Sequence, residues 1–386
     1  MKLRASLFTA TALAVCLAAL PARAEDFVIG LATAQTGGLA PFDQPSLAGF
    51  QMAVDEINAK GGLAGQHKIV LNIKDTRSDT AATVQAAQEL VAAGIKVLIT
   101  PCDADPSIAG GQVSQPAGIP AFTFCGSTPT IPGAVGDYMF GDYPADNLQA
   151  TVLAAHAMEK GYKNAYILKS PDTAYTLKLP EYFAEVFKKK GGAIAGEGTY
   201  ALGQQDFSAE VTKIKTLDPQ PDVIMTSAYE PDFPAFIKQL RSAGVTAAVL
   251  GSDGIDSPTT LGLGTDADGV VHTTAGFPTE GSPLAAFYAK WKEKTGKAPE
   301  TVYVATGYEI PYILDAAVTA AGGKTDGTSI RDAVMTLKDL ALVTGKVTYA
   351  GTNRMPFRDI ALVEVRGGAR TLVKMATPDA ADVPAP

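Results

Sequence analysis

Cys102 lies in the segment TPCDADPS (Thr100–Ser107), directly before two carboxylates, Asp103 and Asp105. A cysteine in this setting could be a nucleophile, a metal ligand, a redox centre or half of a disulfide. A nucleophilic cysteine needs a histidine partner, and the sequence places no histidine near this loop. The paired carboxylates could exchange protons, but no other catalytic group accompanies them. Each acid therefore either caps the loop or faces a ligand.

The remaining residue patterns do not indicate catalysis. His67, His156 and His272 share no metal-ligand spacing, and no HExxH motif occurs. The GxSxG motif of serine hydrolases is also absent from the sequence. We therefore predict a binding protein that has no catalytic residues, no metal site and no cofactor.

The elements that must position these residues follow a strand–loop–helix pattern. Apolar residues such as Leu47, Phe50, Val54 and Ile57 recur at helical spacing between short apolar runs. This alternation predicts parallel sheets with helices on both faces, and the number of units favours two α/β lobes. The predicted strands span residues 27–31, 68–74, 97–100, 121–124, 165–169, 223–227, 248–251, 270–275, 347–349, 360–365 and 372–375.

Ligands bind parallel sheets beyond the carboxyl ends of the strands. The loops at these ends are rich in Gly, Ser, Thr, Tyr and Asp, which suits the recognition of a small polar molecule. They comprise residues 33–42, 102–107, 125–128, 170–175, 228–232 and 252–256.

The N-terminal segment has the features of a secretory signal peptide. Lys2 and Arg4 precede an uncharged, largely apolar stretch, and Ala22-Arg23-Ala24 fits the cleavage pattern. We predict cleavage after Ala24 and export of the remaining chain. That chain has 29 basic and 40 acidic residues, a formal charge of −11, and no basic cluster, which argues against a nucleic-acid partner. The tail, residues 378–386, is expected to fray.

Cys102 and Cys125 are the two cysteines that remain after cleavage. Exported proteins usually pair their cysteines, so we predict a disulfide between them, with two free thiols as the alternative. Both residues follow neighbouring predicted strands, and adjacent strands lie roughly 4.8 Å apart. That separation is within the reach of a disulfide.

Several segments in order resemble the periplasmic branched-chain amino acid binding proteins, the type I solute-binding subunits of ABC importers. The most extended is GFQMAVDEINAKGGLAGQ (Gly49–Gln66). The others are Ile29-Gly30, Thr36-Gly37-Gly38, Gly118-Ile119-Pro120, Gly126-Ser127-Thr128-Pro129, Asp206-Phe207-Ser208, the stretch 239–244 and the helix around Tyr308. The resemblance extends over almost the whole exported chain.

This resemblance implies a two-lobed type I periplasmic binding protein fold, in which each lobe is an open parallel sheet flanked by helices and three segments cross between the lobes. Residues 25–140 and 273–345 would form lobe one, and residues 141–272 and 346–386 would form lobe two. The family closes its lobes around a ligand by a hinge motion and presents the closed form to a membrane permease. We accordingly expect a monomeric periplasmic protein that captures an amino-acid-like or amine-containing ligand.

The resemblance also implies a set of ligand-binding residues. The family's first-lobe carboxylate site falls at Asp103, Ala104, Asp105, Cys125, Gly126 and Ser127, and a bulky first-loop aromatic falls at Phe42. In the second lobe, Tyr175 and Tyr229 match aromatic positions, Asp253 matches the acid that pairs with the ligand ammonium, and Glu230 could add negative charge. As alternatives, Phe42 could anchor the core, the tyrosines could pack on lobe surfaces, and Asp253 could cap the helix at Ser257.

The sequence departs from the family at two points. Where many relatives have a serine that holds the ligand carboxylate, this chain has Asp103-Ala104-Asp105, and these acids would repel a carboxylate. The family disulfide reaches a position near Ser78, which is not a cysteine here. Two other functions remain open, a sensory binding protein of the same fold and a secreted α/β enzyme.

Overall fold

The protein, described by a computed structural model over residues 26–386, contains two large β-sheets with helices packed on their faces. The predicted signal peptide, residues 1–24, lies outside the described residues. The first elements are β1 (Phe27–Thr33), α1 (Ala40–Ala59), β2 (Ile69–Asp75), α2 (Thr80–Ala92), β3 (Val97–Thr100), α3 (Ala104–Ser114), β4 (Ala121–Thr123), α4 (Ile131–Val135), β5 (Met139–Phe140) and α5 (Asp146–Glu159).

The chain continues through a second series of strands and helices. They are β6 (Asn164–Lys169), α6 (Ala174–Lys189), β7 (Ala193–Thr199), α7 (Ser208–Thr216), β8 (Val223–Thr226), α8 (Asp232–Ser242), β9 (Ala248–Leu250), α9 (Pro258–Leu261), β10 (Val271–Thr274), α10 (Pro283–Thr295), α11 (Tyr303–Ala320), α12 (Gly327–Val334), β11 (Leu340–Ala341), β12 (Lys346–Thr348), β13 (Phe357–Arg358), β14 (Ile360–Arg366) and β15 (Ala369–Ala376).

The first lobe is built on a five-stranded sheet in the order β2-β1-β3-β4-β5, in which every pair of neighbours is parallel. Its strands are short apolar runs, and β3 is buried along its whole length. Helices α1 and α11 contribute Phe50 and Ile313 to the core beneath the sheet. The predicted parallel architecture is confirmed in this lobe.

The second lobe is built on a seven-stranded sheet in the order β15-β14-β10-β9-β8-β6-β7. Strands β6 to β10 pair in parallel, as predicted, whereas β14 and β15 add an antiparallel edge. Only Gly367 and Gly368 separate β14 from β15, and their φ angles are 58° and 71°. A two-residue turn with two positive φ angles is the geometry that closes an antiparallel hairpin.

The chain crosses between the lobes three times, after β5, after β10 and between β13 and β14. A buried ion pair lies at these crossings, where Arg358 Nη2 is 3.0 Å from Glu309 Oε2 and Arg358 Nη1 donates to the Asp142 carbonyl at 2.8 Å. Val347 and Tyr349 pack into the first-lobe core. The lobe boundaries given above remain a prediction.

Two helices of the first lobe approach each other more closely than side chains would allow. An ideal Cβ on Gly49 of α1 would lie 1.9 Å from the Val304 carbonyl oxygen, and one on Gly307 of α11 would lie 2.1 Å from the Ser46 carbonyl oxygen. Glycine is therefore required on both helices. This contact packs the second and third turns of α1 against the first two turns of α11.

The C-terminal tail is tied to the second lobe. Asn147 Nδ2 donates to the Pro384 carbonyl at 2.8 Å, and Lys190 forms an ion pair with Asp382. The expectation that residues 378–386 fray is therefore wrong, because Asn147 of α5 binds the backbone of the tail and Lys190, directly after α6, binds its acid. Within residues 26–386, no helix combines the length and apolar character that a membrane crossing requires.

Candidate functional site

A cavity lies between the two lobes at the carboxyl ends of their parallel strands. Its empty volume, which includes space open to solvent, is about 440 Å³. Residues that follow β1, β3 and β4 line one side, residues that follow β6, β8 and β9 line the other, and the first residue of α11 completes the wall. The lining residues are Leu39, Phe42, Cys102, Asp103, Ala104, Cys125, Gly126, Ser127, Thr128, Tyr175, Tyr229, Asp253, Gly254 and Tyr303.

A disulfide joins the two first-lobe loops of the cavity wall. Thr100 pairs with Thr123 across β3 and β4, so the residues two positions further along the chain are also adjacent. Cys102 and Cys125 have Cα atoms 4.5 Å apart and are disulfide-bonded. The predicted pairing is confirmed, and Cys102 is neither a nucleophile nor a metal ligand.

A buried carboxylate holds one of these loops from below. Asp43, in the first turn of α1, accepts hydrogen bonds from Ala34 N at 2.6 Å and from Cys102 N at 2.9 Å. Burial raises the pKa of Asp43 to about 7, although both backbone hydrogen bonds oppose this shift. Asp43 thus connects β1, α1 and the loop after β3.

Asp253 is the acid through which the second lobe lines the cavity. Its side chain is 5% exposed, and its Oδ1 accepts from the Tyr175 hydroxyl at 3.1 Å. The Tyr303 hydroxyl of the first lobe donates to the Asp253 carbonyl at 2.8 Å, so this contact bridges the lobes. Ser257 caps α9 with its own hydroxyl, and the alternative that Asp253 caps this helix does not apply.

Aromatic side chains form the apolar part of the wall. The ring of Phe42 lies edge-on to Tyr303, with centroids 5.5 Å apart, and edge-on to Tyr229 at 6.2 Å. Tyr175 and Tyr229 have centroids 6.1 Å apart. Phe42 is half-buried and contacts Tyr303 of the first lobe and Tyr229 of the second. It therefore does not serve only as an anchor in the core of one lobe.

The electrostatic character of the cavity is acidic. Burial raises the pKa of Asp103 to about 6, and the neighbouring Asp105 adds to the effect. Burial likewise raises the pKa of Asp253 to about 6, and that of Asp146, beneath Thr128, to about 8. Among the described residues, no Lys, Arg or His lines the cavity. The described residues also contain no cluster of three His, Cys, Asp or Glu side chains suited to a metal ion.

The structure brings most of the predicted site residues together at this cavity, but two lie elsewhere. Asp105 is exposed to solvent. Helix α3 begins at Ala104, which lines the cavity, and the next side chain on a helix, that of Asp105, points about 100° away from it. Glu230 accepts a hydrogen bond from the Ser257 hydroxyl and faces a neighbouring groove. Neither side chain lines the cavity.

Some lining residues did not follow from the sequence. Leu39, Thr128 and Gly254 lie within the strand-end loops expected from the sequence, residues 33–42, 125–128 and 252–256, but were not among the predicted ligand-binding residues. Tyr303 begins a helix, and a search restricted to strand ends does not reach it. Asp146, buried below the cavity floor, carries no motif that distinguishes it from other acids.

Comparisons with known proteins agree with this geometry. A family model described as periplasmic binding protein matches residues 27–369. The Leu/Ile/Val-binding protein BraC3 of Rhizobium johnstonii is 27% identical over 93% of this chain and 97% of its own length.

Solved structures share the fold. The leucine-binding protein LivK of Thermotoga maritima superimposes with a TM-score of 0.83 at 23% identity, covering 91% of this chain and 99% of that one. A solute-binding protein of an ABC transporter from Rhodopseudomonas palustris, in complex with 3,4-dihydroxybenzoic acid, superimposes with a TM-score of 0.80 at 22% identity, covering 92% and 98%.

Proposed function

This chain belongs to the periplasmic binding protein family, and we propose that it is the solute-binding component of an ABC importer. In this proposal it captures a small amino-acid-like or amine-containing ligand between its lobes and delivers it to a membrane permease. The family consists of solute-binding proteins and not of enzymes, which agrees with the absence of a catalytic motif from the sequence. We further propose that the protein acts as a monomer in the periplasm after cleavage at Ala24.

The observation that carries this proposal is the cavity between the lobes. Loops at the carboxyl ends of parallel strands in both sheets line it, and one hydrogen bond, from Tyr303 to the Asp253 carbonyl, already crosses it. A ligand that contacts both walls would favour the closed arrangement of the lobes over an open one. Capture by closure is the working motion that we propose.

The ligand class rests on the second-lobe acid. Asp253 is buried with tyrosine partners and has no basic residue beside it in the cavity. A ligand ammonium would supply the missing positive charge, as in the amino acids that LivK and BraC3 are named for. The neighbour that binds 3,4-dihydroxybenzoic acid shows that this fold also takes ligands without an amine.

A screen of small molecules tests the proposed function directly. A ligand that binds the folded protein raises its melting temperature, so we would screen amino acids, amides, amines and aromatic acids by thermal shift. Small-angle X-ray scattering should then show a smaller radius of gyration with the best ligand than without it. Identical scattering curves at saturating ligand would contradict capture by closure.

Replacement of Asp253 tests the ammonium site. Removing one partner of a buried charge pair costs roughly 3–5 kcal/mol, so Asp253→Ala should weaken binding of the best amine-containing ligand by about a hundredfold or more. Glu230→Gln is the matched control, because that side chain lies outside the cavity and should leave the affinity unchanged. Equal affinities of wild type and Asp253→Ala would contradict the assignment.

A further inference from the structure

Some backbone donors in the cavity wall are already engaged within the protein. A bound carboxylate is normally held by free N–H and O–H groups. Three N–H groups of lining residues instead donate to protein oxygens. These bonds join Cys102 N to Asp43 Oδ1 at 2.9 Å, Gly126 N to Thr123 Oγ1 at 2.9 Å and Gly254 N to the Tyr175 hydroxyl at 3.0 Å.

Three hydroxyl protons in the wall are directed to protein groups as well. Thr128 Oγ1 donates to Asp146 Oδ2 at 2.9 Å. The Tyr175 hydroxyl donates to Asp253 Oδ1, and the Tyr303 hydroxyl donates to the Asp253 carbonyl. These three protons are therefore not offered to a ligand. The Tyr175 oxygen in addition accepts from Gly254 N and lies 2.5 Å from the Ser252 hydroxyl.

Acceptors, in contrast, are left without partners. Asp103 Oδ1 is buried and has no hydrogen-bond partner, and the same is true of Asp146 Oδ1 below the floor. Asp103 comes from the first lobe and Asp253 from the second, so negative charge faces the cavity from both sides. The wall therefore offers a ligand an unpartnered acceptor and negative charge from both lobes, and among the described residues no cationic side chain lines it.

From this imbalance we infer that the ligand is an organic cation without a carboxylate, bound through its N–H groups by Asp103 on one lobe and Asp253 on the other. A free amino acid fits less well, because its carboxylate would meet Asp103 where it needs donors. The aromatic wall suits the same ligand, since Phe42, Tyr229 and Tyr303 can contact a cation through their ring faces. The inference rests on the proposed function and specifies its ligand class.

Three probes that share one branched carbon skeleton separate charge from shape. They are 3-methylbutylamine (cation), leucine (zwitterion) and 4-methylpentanoate (anion), measured by isothermal titration calorimetry at pH 7. Placing like charges together costs more than a factor of ten in affinity. We therefore expect 3-methylbutylamine to bind at least about tenfold more tightly than leucine, and 4-methylpentanoate more weakly than either.

A residue swap tests whether Asp103 causes this preference. Asp103→Asn keeps the size of the side chain and removes its charge. It should lower the affinity for 3-methylbutylamine by about tenfold or more and reduce the ratio of this affinity to that for leucine. Asp105→Asn is the matched control, because Asp105 is exposed two residues away. The control should preserve the wild-type ranking of the probes.

The results distinguish this inference from the proposed function. If leucine or 4-methylpentanoate binds more tightly than 3-methylbutylamine and scattering shows that the lobes close, the inference of a cationic ligand is wrong. The proposed function as a solute-binding protein would still hold. An Asp103→Asn variant that binds all three probes like the wild type would overturn the role of Asp103. If no compound of the broad screen or of this series binds, the proposed function fails, and the ligand class fails with it.

Discussion

At the scale of single residues, the main feature of the site is a group of acids buried without cations. Asp146 is fully buried and faces the hydroxyls of Ser127 and Thr128 and the carboxyls of Asp103 and Asp253. Its pKa of about 8 is far above the ordinary value of 3.8 because burial disfavours the charged form. Such acids cost stability that a bound cation would restore.

Asp146 should make the stability of the ligand-free protein depend on pH. Its raised pKa means that the folded state holds the proton more tightly than the unfolded chain, so the stability that it contributes is present at low pH and is lost as the pH rises towards about 8. Asp146→Asn removes this titration. Between pH 5.5 and pH 7.5 the wild type should lose about 2–3 kcal/mol of unfolding free energy that the variant keeps, as measured by urea unfolding.

The exposed Asp105→Asn variant is the control for this measurement. Its stability difference from the wild type should be the same at both pH values, because the side chain lies in solvent. A difference for Asp146→Asn that is also independent of pH would show that Asp146 is charged in the folded protein throughout this range.

At the scale of helices and strands, the site depends on the contact between α1 and α11. These helices carry Phe42 and Tyr303 in their first turns, and the two glycines at their crossing allow the backbones to meet. Gly49 is the first residue of the GFQMAVDEINAKGG segment, which resembles the family. Its physical role is to leave room for the Val304 carbonyl.

Gly49→Ala should therefore destabilise the protein. Overpacking a core costs about 1–3 kcal/mol, and the backbone carbonyl opposite cannot move aside as a flexible side chain would. The gain in helix propensity, about 1 kcal/mol, offsets only part of this cost. Urea unfolding would measure the net loss.

Gly133→Ala is the matched control, since a Cβ at Gly133 of α4 would meet nothing within 4 Å. This variant should be as stable as the wild type or slightly more stable. Unchanged stability of Gly49→Ala would mean that the two helices can separate at little cost.

At the scale of the whole molecule, contacts outside the cavity also hold the lobes together. Arg370 on β15 of the second lobe forms an ion pair with Asp256 in the same lobe. Its Nη2 reaches across and donates to the Glu300 carbonyl at 3.0 Å, in the loop that precedes α11 of the first lobe. Opening of the lobes would break the second bond and preserve the first.

Arg370→Lys should weaken ligand binding without any change in the cavity. A lysine keeps the positive charge beside Asp256. Its single ammonium group, on a shorter side chain, cannot contact both Asp256 and the Glu300 carbonyl as the guanidinium of Arg370 does. A charge-assisted hydrogen bond contributes about 1.5–3 kcal/mol, so the affinity for the best ligand of the screen should fall about tenfold. Calorimetry measures the loss, and scattering should show a larger open fraction without ligand.

Arg366→Lys is the control for the hydrogen bond that Arg370 makes to Glu300 across the lobes. Arg366 pairs with Glu364 on the same strand and makes no contact between lobes. If both variants bind the ligand as the wild type does, the bond to Glu300 does not contribute to closure.

The sequence by itself determined the architecture and the place of the site. Buried parallel strands are short apolar runs whose pattern is local, and predictions such as residues 97–100 match the observed strand. Strand β7 (Ala193–Thr199) was missed, because it is half-exposed and contains two glycines. The strand-end rule and the family resemblance then located the loops that meet, including the two that carry the disulfide.

Only the tertiary structure decided which side chains enter the cavity and what they offer a ligand. Asp103 lines it and Asp105 does not, because the start of α3 between them turns the second acid into solvent. Tyr303 arrives from a helix far along the chain, and Thr128 turns its proton towards Asp146. The direction of a side chain and the partner of a hydrogen bond depend on residues distant in sequence, and no local pattern encodes them.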